Sequence, residues 1–185
     1  MTHYLIDSDA FLALRSLKLL SDLCVRLPSD EPLLMVGHAA YVELNPLQRE
    51  IGALRSAGSL VVHEVVVKSA AGQHMKELRR SGIDKGEAEA IAWALDDDRG
   101  NLRLIFVSVD ARARRHAENN RLVAVDIMGA IVEWVEEGLL DRSIAMQRVT
   151  VWDDRAQERG RPRDYDTFDR TYAHRLAARR ARLGR

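Results

Sequence analysis

The sequence predicts an α/β fold in which helices cover both faces of a central parallel sheet. Short apolar runs alternate along the chain with segments whose apolar residues recur at helical spacing. The length of 185 residues suffices for one self-sufficient core, because a domain of ~150 residues buries roughly 70% of its unfolded surface. Hydrophobic residues make up 46% of the chain and charged residues 30%, as in ordinary globular domains. We therefore expect a three-layer α/β/α architecture.

The individual elements can be assigned in chain order. An apolar run at residues 4–6 predicts a strand, and leucines at helical spacing predict one helix over 10–27 that stops before Pro28. The run at 33–36 fits a strand or a helix, whereas 39–44 is interpreted as helical. The later predictions are a helix over 46–57, a strand at 60–63, helices over 69–80 and 84–95, a strand at 104–107, a helix over 111–119, a strand at 122–125 and a helix over 127–137.

The C-terminal segment differs from the body in charge. Residues 151–185 hold ten arginines against six acids, whereas residues 1–150 hold 18 basic and 22 acidic residues. We divide the chain into a body domain, 1–150, and a basic, partly helical extension, 151–185. A thin apolar stripe (Phe168, Tyr172, Leu176, Leu183) predicts a helix there. This helix could cover a groove on its own body, which is the favoured interpretation, or contact nucleic acid.

Several classes of protein are disfavoured. Cys24 is the only cysteine, so an internal disulfide is excluded and a reducing, cytoplasmic compartment is favoured. The longest uncharged apolar run, 33–42, is far shorter than the ~20 residues that span a bilayer, and no membrane association is expected. The sequence has no P-loop, no Gly-x-Gly-x-x-Gly and no His-x-x-x-His pair, which argues against nucleotide-binding and zinc enzymes of those types.

Three acids lie where a site could use them. Asp7 and Asp110 each follow a buried apolar run, so parallel strands would bring both to the carboxyl edge of the sheet, where such folds place their sites. Each is also a good helix N-cap, which for a single Asp is the commoner role. Glu43 lies in an apolar segment, where a carboxylate without a partner is costly.

The helix over 84–95 carries two glutamates near its start. Glu87 fits a capping box with Asp84, but it also borders the apolar face through Ile91. Glu89 is turned about 200° away at 100° per residue. We therefore predict that Glu87 faces inward and that Glu89 faces solvent.

Several acids at one site indicate a bound cation. Two carboxylates at ~4 Å repel by about 4 kcal/mol at an effective dielectric of ~20. Oxygen-only ligation suits Mg²⁺ or Mn²⁺, which would relieve that repulsion. The matching chemistry is in-line hydrolysis of a phosphodiester by metal-activated water.

Four segments resemble, in the same order, the PIN-domain (PilT N-terminal) ribonucleases and their branch of VapC-type toxins. The most specific is the Gly-Glu-Ala-Glu-Ala-Ile run at 86–91, and the resemblance covers roughly residues 3–137. The other three are Tyr4-Leu5-Ile6-Asp7-Ser8, Val42-Glu43-Leu44 and Phe106-Val107-Ser108-Val109-Asp110.

The resemblance implies a PIN-like fold and a Mg²⁺- or Mn²⁺-dependent endoribonuclease, with RNA as substrate and with an antitoxin and a second copy as partners of the kind the family has. By position, the metal-binding acids would be Asp7, Glu43, Glu87 and Asp110. Ser108, and by its placement Ser8, would orient a ligand or phosphate. Candidate RNA contacts by residue type are Arg112, Arg114 and Arg115, together with the arginines of the C-terminal extension; for each of them a solvated helix charge is an equally good interpretation.

Two departures from the family pattern leave the metal stoichiometry open. Glu87 stands where many members have Asp, and Arg112 stands where many have a further acid. The alternative to an enzyme is a catalytically inactive PIN-like module that binds or regulates a partner.

Overall fold

Five parallel strands form one sheet in the described part of the computed structural model, residues 2–28, 30–96, 103–155 and 158–184. The strands are β1 (Thr2–Ile6), β2 (Leu33–Val36), β3 (Leu60–His63), β4 (Arg103–Val107) and β5 (Val123–Val125). Their order across the sheet is β3-β2-β1-β4-β5. Helices flank this sheet, so the predicted α/β class with a parallel sheet is confirmed.

The central strand β1 pairs with β4 along its whole length, from Thr2 opposite Arg103 to Ile6 opposite Val107, and with β2 on its other side. The chain first adds β2 and β3 on one side of β1 and then crosses over to add β4 and β5 on the other. The switch point of the sheet therefore lies between β1 and β4, and crevices for ligands open at the carboxyl ends of strands at such points.

The helices lie close to their predicted positions, with one break. A left-handed Lys18, with φ of 59°, divides the helix predicted over 10–27 into two. The segment after β2 is a π-helical turn (Ala39–Glu43) followed by a 3₁₀ turn (Asn45–Leu47). The α-helices are α1 (Ser8–Ser16), α2 (Leu19–Cys24), α3 (Gln48–Ser56), α4 (Ala70–Arg80), α5 (Lys85–Ala94), α6 (Ala111–Asn119), α7 (Ile127–Glu136), α8 (Arg142–Val149), α9 (Val151–Asp154) and α10 (Phe168–Arg182).

The core is built from the apolar strands and the buried faces of the helices. Trp93, Trp134 and Trp152 are all buried, and the Tyr4 and Trp134 rings meet edge to face with centroids 5.5 Å apart. Such burial fixes the sheet and helix ends from which the polar side chains project. Among the described residues, none of the helices combines the length and apolarity that crossing a bilayer would require.

Helix α10 packs against α7 and not away from the body. Phe168 and Tyr172 are buried, and the Tyr172 hydroxyl donates a hydrogen bond of 2.9 Å to Glu136 of α7. The Arg175 guanidinium lies 2.6 Å from the Asp126 carboxylate, and that of Arg179 lies 2.9 Å from Glu133. The sequence left open whether the C-terminal helix covers its own body or contacts nucleic acid. For α10, contact with the body is observed.

Candidate acidic cleft

A cleft of about 500 Å³ opens at the carboxyl ends of β1 and β2 and at the N-terminus of α5. We call it the acidic cleft. The predicted residues Asp7, Ser8, Glu43 and Glu87 all line it. Its lining also includes Asp9, Leu12, His38, Ala39, Asp84, Lys85, Gly86 and Arg159.

Asp7 follows β1 directly and is the most deeply buried acid of the cleft, with 7% of its surface exposed. Its carboxylate caps α1 by accepting a hydrogen bond of 2.6 Å from the Ala10 N–H. Burial raises the pKa of Asp7 to about 7, against the opposing effects of hydrogen bonds from Ser108 and Ala10. The interpretation of Asp7 as a helix N-cap is therefore correct. Its carboxyl group is nevertheless costly to ionise, because it is buried.

Ser108 and Asp110 follow β4, on the other side of the switch point. Ser108 is fully buried, and its hydroxyl oxygen accepts the Asp110 N–H at 3.1 Å in addition to its bond with Asp7. Asp110 is exposed and caps α6 by accepting the Arg112 N–H at 2.5 Å. Ser108 thus links the ends of β1 and β4. In this structure its hydroxyl group forms hydrogen bonds with Asp7 and Asp110.

Glu43 is held at the centre of the cleft from two sides. Its Oε2 accepts a short hydrogen bond from the Ser8 hydroxyl, and its Oε1 lies 2.8 Å from His38 Nδ1. The carboxylate also lies against the backbone of Gly86, where an added Cβ would come within 2.5 Å of Oε1. Glu43 is exposed, so the burial expected from its apolar segment is not observed, whereas the expected partners are present as Ser8 and His38.

Glu87 lies half-buried in the first turn of α5. Its pKa is raised to about 7 by burial first, and then by repulsion from Asp110, Asp7, Asp84 and Glu43. The fold thus brings the four predicted acids close enough for their charges to interact. Asp84 makes no side-chain capping bond, so the capping-box interpretation of Glu87 is not observed.

The prediction that Glu89 faces solvent is wrong. Only 7% of Glu89 is exposed, and its carboxylate accepts the His38 N–H at 2.9 Å and the Val65 N–H at 3.3 Å. Helix α5 is buried on several sides, including against β2, so the face opposite the core stripe also lies inside the protein. Glu89 thereby fixes the backbone that carries His38.

The three arginines of α6 differ in their surroundings. The Arg114 guanidinium donates to the carbonyl oxygens of Ser108 and Val109, at 2.7 and 2.8 Å. It therefore closes the C-terminal end of β4. Arg112 and Arg115 are exposed, and no ion pair joins either to another described residue.

Sequence reasoning missed His38 and Lys85 in the lining of the cleft, and it anticipated Arg159 only as one of the C-terminal arginines suited to phosphate. Lys85 could have been identified from the sequence, because it directly precedes the most specific motif, which begins at Gly86. His38 and Arg159 carry no local signal. They reach the cleft only through the turn after β2 and through the C-terminal segment that crosses α1.

The donor set fits a hard divalent cation by chemistry, since the carboxylates of Asp7, Glu43 and Glu87 and the Ser8 hydroxyl line one cleft. Asp110 does not line the cleft, although it lies close enough to raise the pKa of Glu87. The side chains as they stand do not form a ligand cage. Within residues 2–28, 30–96, 103–155 and 158–184, no three carboxylate, imidazole or thiol groups are arranged closely enough to hold one metal ion. Binding would require the acids to draw together.

Comparison of the chain with protein-family models, with curated proteins and with solved structures found no match.

Proposed function

We propose that the protein is a Mg²⁺- or Mn²⁺-dependent endoribonuclease with its site in the acidic cleft. The observation that carries the proposal is the convergence of the buried Asp7 carboxyl and the half-buried Glu87 carboxyl on one cleft at a strand end, where burial raises the pKa of each to about 7. Carboxyls that are costly to ionise alone gain most from a divalent cation. The resemblance to PIN-domain ribonucleases supplies the reaction class.

Each acid has a distinct part in this proposal. Asp7, Glu43 and Glu87 in the cleft, together with Asp110 in the adjoining depression, would hold the cation, with Ser8 keeping the Glu43 carboxylate turned into the cleft. When bound, Mg²⁺ or Mn²⁺ activates water and offsets charge on the phosphodiester. The chain's own cations at the rim, Lys85 and Arg159, are suited to the phosphate oxygens. Ser108 would act by orienting Asp7.

Five further parts of the proposal rest on the resemblance to PIN-domain ribonucleases. They are the PIN-like arrangement of the three layers, the role as toxin of a two-gene pair, a cognate antitoxin, a homodimer and a cytoplasmic location. The parallel sheet and the acids at its carboxyl edge support the first of these.

One observation favours the alternative, a PIN-like module without catalysis. Both oxygens of the Glu43 carboxylate already have partners within the protein, Ser8 and His38. A carboxylate satisfied in this way is stable without a cation. The module would use the cleft to bind a partner and would leave RNA intact.

Calorimetric titration with Mn²⁺ and Mg²⁺, followed by an RNA-cleavage assay on the same samples, separates the two. We expect the wild type to bind the cation and to cleave RNA, and we expect Asp7→Asn and Glu43→Gln to do neither. Asp141→Asn is a matched control, because Asp141 also caps a helix, α8, but lies outside the cleft.

Cleavage that continues undiminished in EDTA would overturn the metal mechanism. A folded wild type that binds no divalent cation would assign the chain to the non-catalytic module.

A further inference from the structure

A second depression, of about 690 Å³, adjoins the acidic cleft, and its lining holds six arginines against four aspartates. We call it the arginine groove. It is lined by α6 residues, among them Arg112 and Arg115, and by the segment Gly160–Asp164, which contributes Arg161 and Arg163. Asp9 lines both the groove and the cleft, so the two are continuous.

The C-terminal part of this groove is a strap, residues 158–164, that crosses α1. At its start the Ser16 hydroxyl donates to Glu158 at 3.1 Å, and Arg159 lies 3.3 Å from Asp9 at the rim of the cleft. At its end Asp164 pairs with Arg175 at 2.7 Å. The strap is therefore fixed at both ends, and it carries its arginines to a defined place.

Gly160 lets the strap lie directly on the body. Its φ of +81° suits glycine, and an added Cβ would meet the Cβ of Ala13 at 2.6 Å and Ile127 at 3.3 Å. A larger residue there would lift the strap away from α1.

The charges of the groove are not balanced from within. Arg112, Arg115 and Arg163 are exposed, and no ion pair joins any of them to another described residue. Three of the four aspartates in the lining are paired with other arginines, because Arg175 pairs with both Asp126 and Asp164 and Arg159 pairs with Asp9. The fourth, Asp110, caps α6 and forms no ion pair with a described residue. Unpaired guanidinium groups in a groove are the usual ligands of phosphate oxygens.

We propose that the arginine groove binds the sugar–phosphate backbone of single-stranded RNA and leads it into the acidic cleft. This inference rests on the proposed function for the choice of RNA. We choose a single strand because only 7% of Asp7 is exposed, and an extended strand can bring its backbone closer to so buried a group than a rigid A-form duplex can. The strap thus gives the C-terminal segment a part in substrate binding.

The test measures binding without cleavage. A fluorescent single-stranded RNA of mixed sequence is titrated in EDTA at several salt concentrations and followed by anisotropy. The variant is the pair Arg112→Gln and Arg163→Gln. The control is the pair Arg26→Gln and Arg55→Gln, which changes the net charge equally. Arg26 lies between α2 and β2 at the amino edge of the sheet, and Arg55 lies beside edge strand β3.

We expect the groove variant to bind about tenfold more weakly or worse, with a salt slope shallower by about 0.7 for each lost phosphate contact. The control should bind like the wild type. A third variant, Gly160→Ala, keeps the net charge and should still lose affinity, because it displaces the strap. Matched circular dichroism spectra establish that each variant is folded.

Several results would contradict the proposal that the arginine groove binds single-stranded RNA. They are equal losses in the groove and control variants, no binding by the wild type at about 50 mM salt, or tighter binding of duplex than of single-stranded RNA. Metal-dependent cleavage plays no part in this assay. If the protein binds RNA through the groove but does not cleave it, only the proposed nuclease activity is contradicted. If it cleaves RNA but the groove variant binds RNA like the wild type, only the present inference is contradicted.

Discussion

The Glu43 carboxylate lies so close to Gly86 that a Cβ on that glycine would come within 2.5 Å of Glu43 Oε1 and 3.2 Å of Oε2. Gly86 is in the first turn of α5, where its ordinary backbone angles would admit any residue. Glycine is therefore required at position 86 because the Glu43 carboxylate lies against it, and not because of its backbone angles.

We predict that Gly86→Ala separates stability from activity. Alanine forms helices better than glycine by up to ~1 kcal/mol, so unfolding should be unchanged or slightly more difficult. The displaced Glu43 would lose its contacts with Ser8 and His38, and cleavage should fall at least about tenfold, a barrier increase of ~1.4 kcal/mol. Gly52→Ala in α3 is the control, because no atom lies within 4 Å of its added Cβ. Equal activity of the two variants would contradict the role given to Gly86.

We predict that Asp7→Asn stabilises the metal-free protein at neutral pH. The pKa of Asp7 is raised from 3.8 to about 7 by burial, so below pH 4 the carboxyl is neutral in both folded and unfolded chains. Between pH 4 and 7 only the unfolded chain ionises, and the wild type loses stability as the pH rises, by a few kcal/mol at most on the scale of ~1.4 kcal/mol per pKa unit. Asparagine retains the cap and removes this loss.

Urea unfolding at pH 4 and pH 7 measures the effect. The two proteins should differ much more at pH 7 than at pH 4. Asp141→Asn is the control of opposite sign, because hydrogen bonds from Ser143 lower the pKa of Asp141. That group stabilises the fold above its unfolded pKa and loses this effect only as the pH falls through its lower folded value. A difference for Asp7→Asn that is the same at both pH values would refute the linkage.

We predict that neutralising the two glutamates of α5 has opposite effects. Glu89→Gln weakens the hydrogen bonds that the buried carboxylate accepts from His38 and Val65, and it should destabilise the protein by about 1–3 kcal/mol. Glu87→Gln removes repulsion and should stabilise the metal-free protein near neutral pH while abolishing divalent-cation binding. Thermal unfolding with and without Mn²⁺ distinguishes them, and destabilisation by both would be evidence against the assignment.

We predict that Arg175→Gln loosens the attachment of α10. It would leave Asp126, 8% exposed, without its guanidinium partner at 2.6 Å, and breaking a buried pair typically costs about 3–5 kcal/mol. Arg170→Gln removes an ion pair with Asp166 that is exposed at both ends, and it should change stability by no more than about 1 kcal/mol. Chemical unfolding of the two variants checks the difference, and similar losses would mean that burial does not matter here.

The sequence predicts four of the five strands, because each contains a short, continuous apolar run, and such runs belong to strands buried on both faces. For residues 33–36, which form β2, it leaves strand and helix open, because so short an apolar run fits either. It also identifies the strand-end acids, since position after a strand is a local property. It fails where burial depends on distant packing. Glu89 lies on the polar side of its helical wheel, yet β2 and the Val65 backbone cover that side. Arg114 turns back to the end of β4 for a reason that only the fold supplies.

The pairing of β1 with β4 brings together residues about 100 positions apart, Thr2 with Arg103 and Ile6 with Val107. During synthesis the first strand therefore waits for its central neighbour until more than half of the chain has been made. Contacts so distant in sequence slow folding, because a long loop must close before they form. Asp7 and Asp110 come to the ends of neighbouring strands only after that step, so a nascent chain that ends before β4 lacks both the central sheet pairing and the completed acid set.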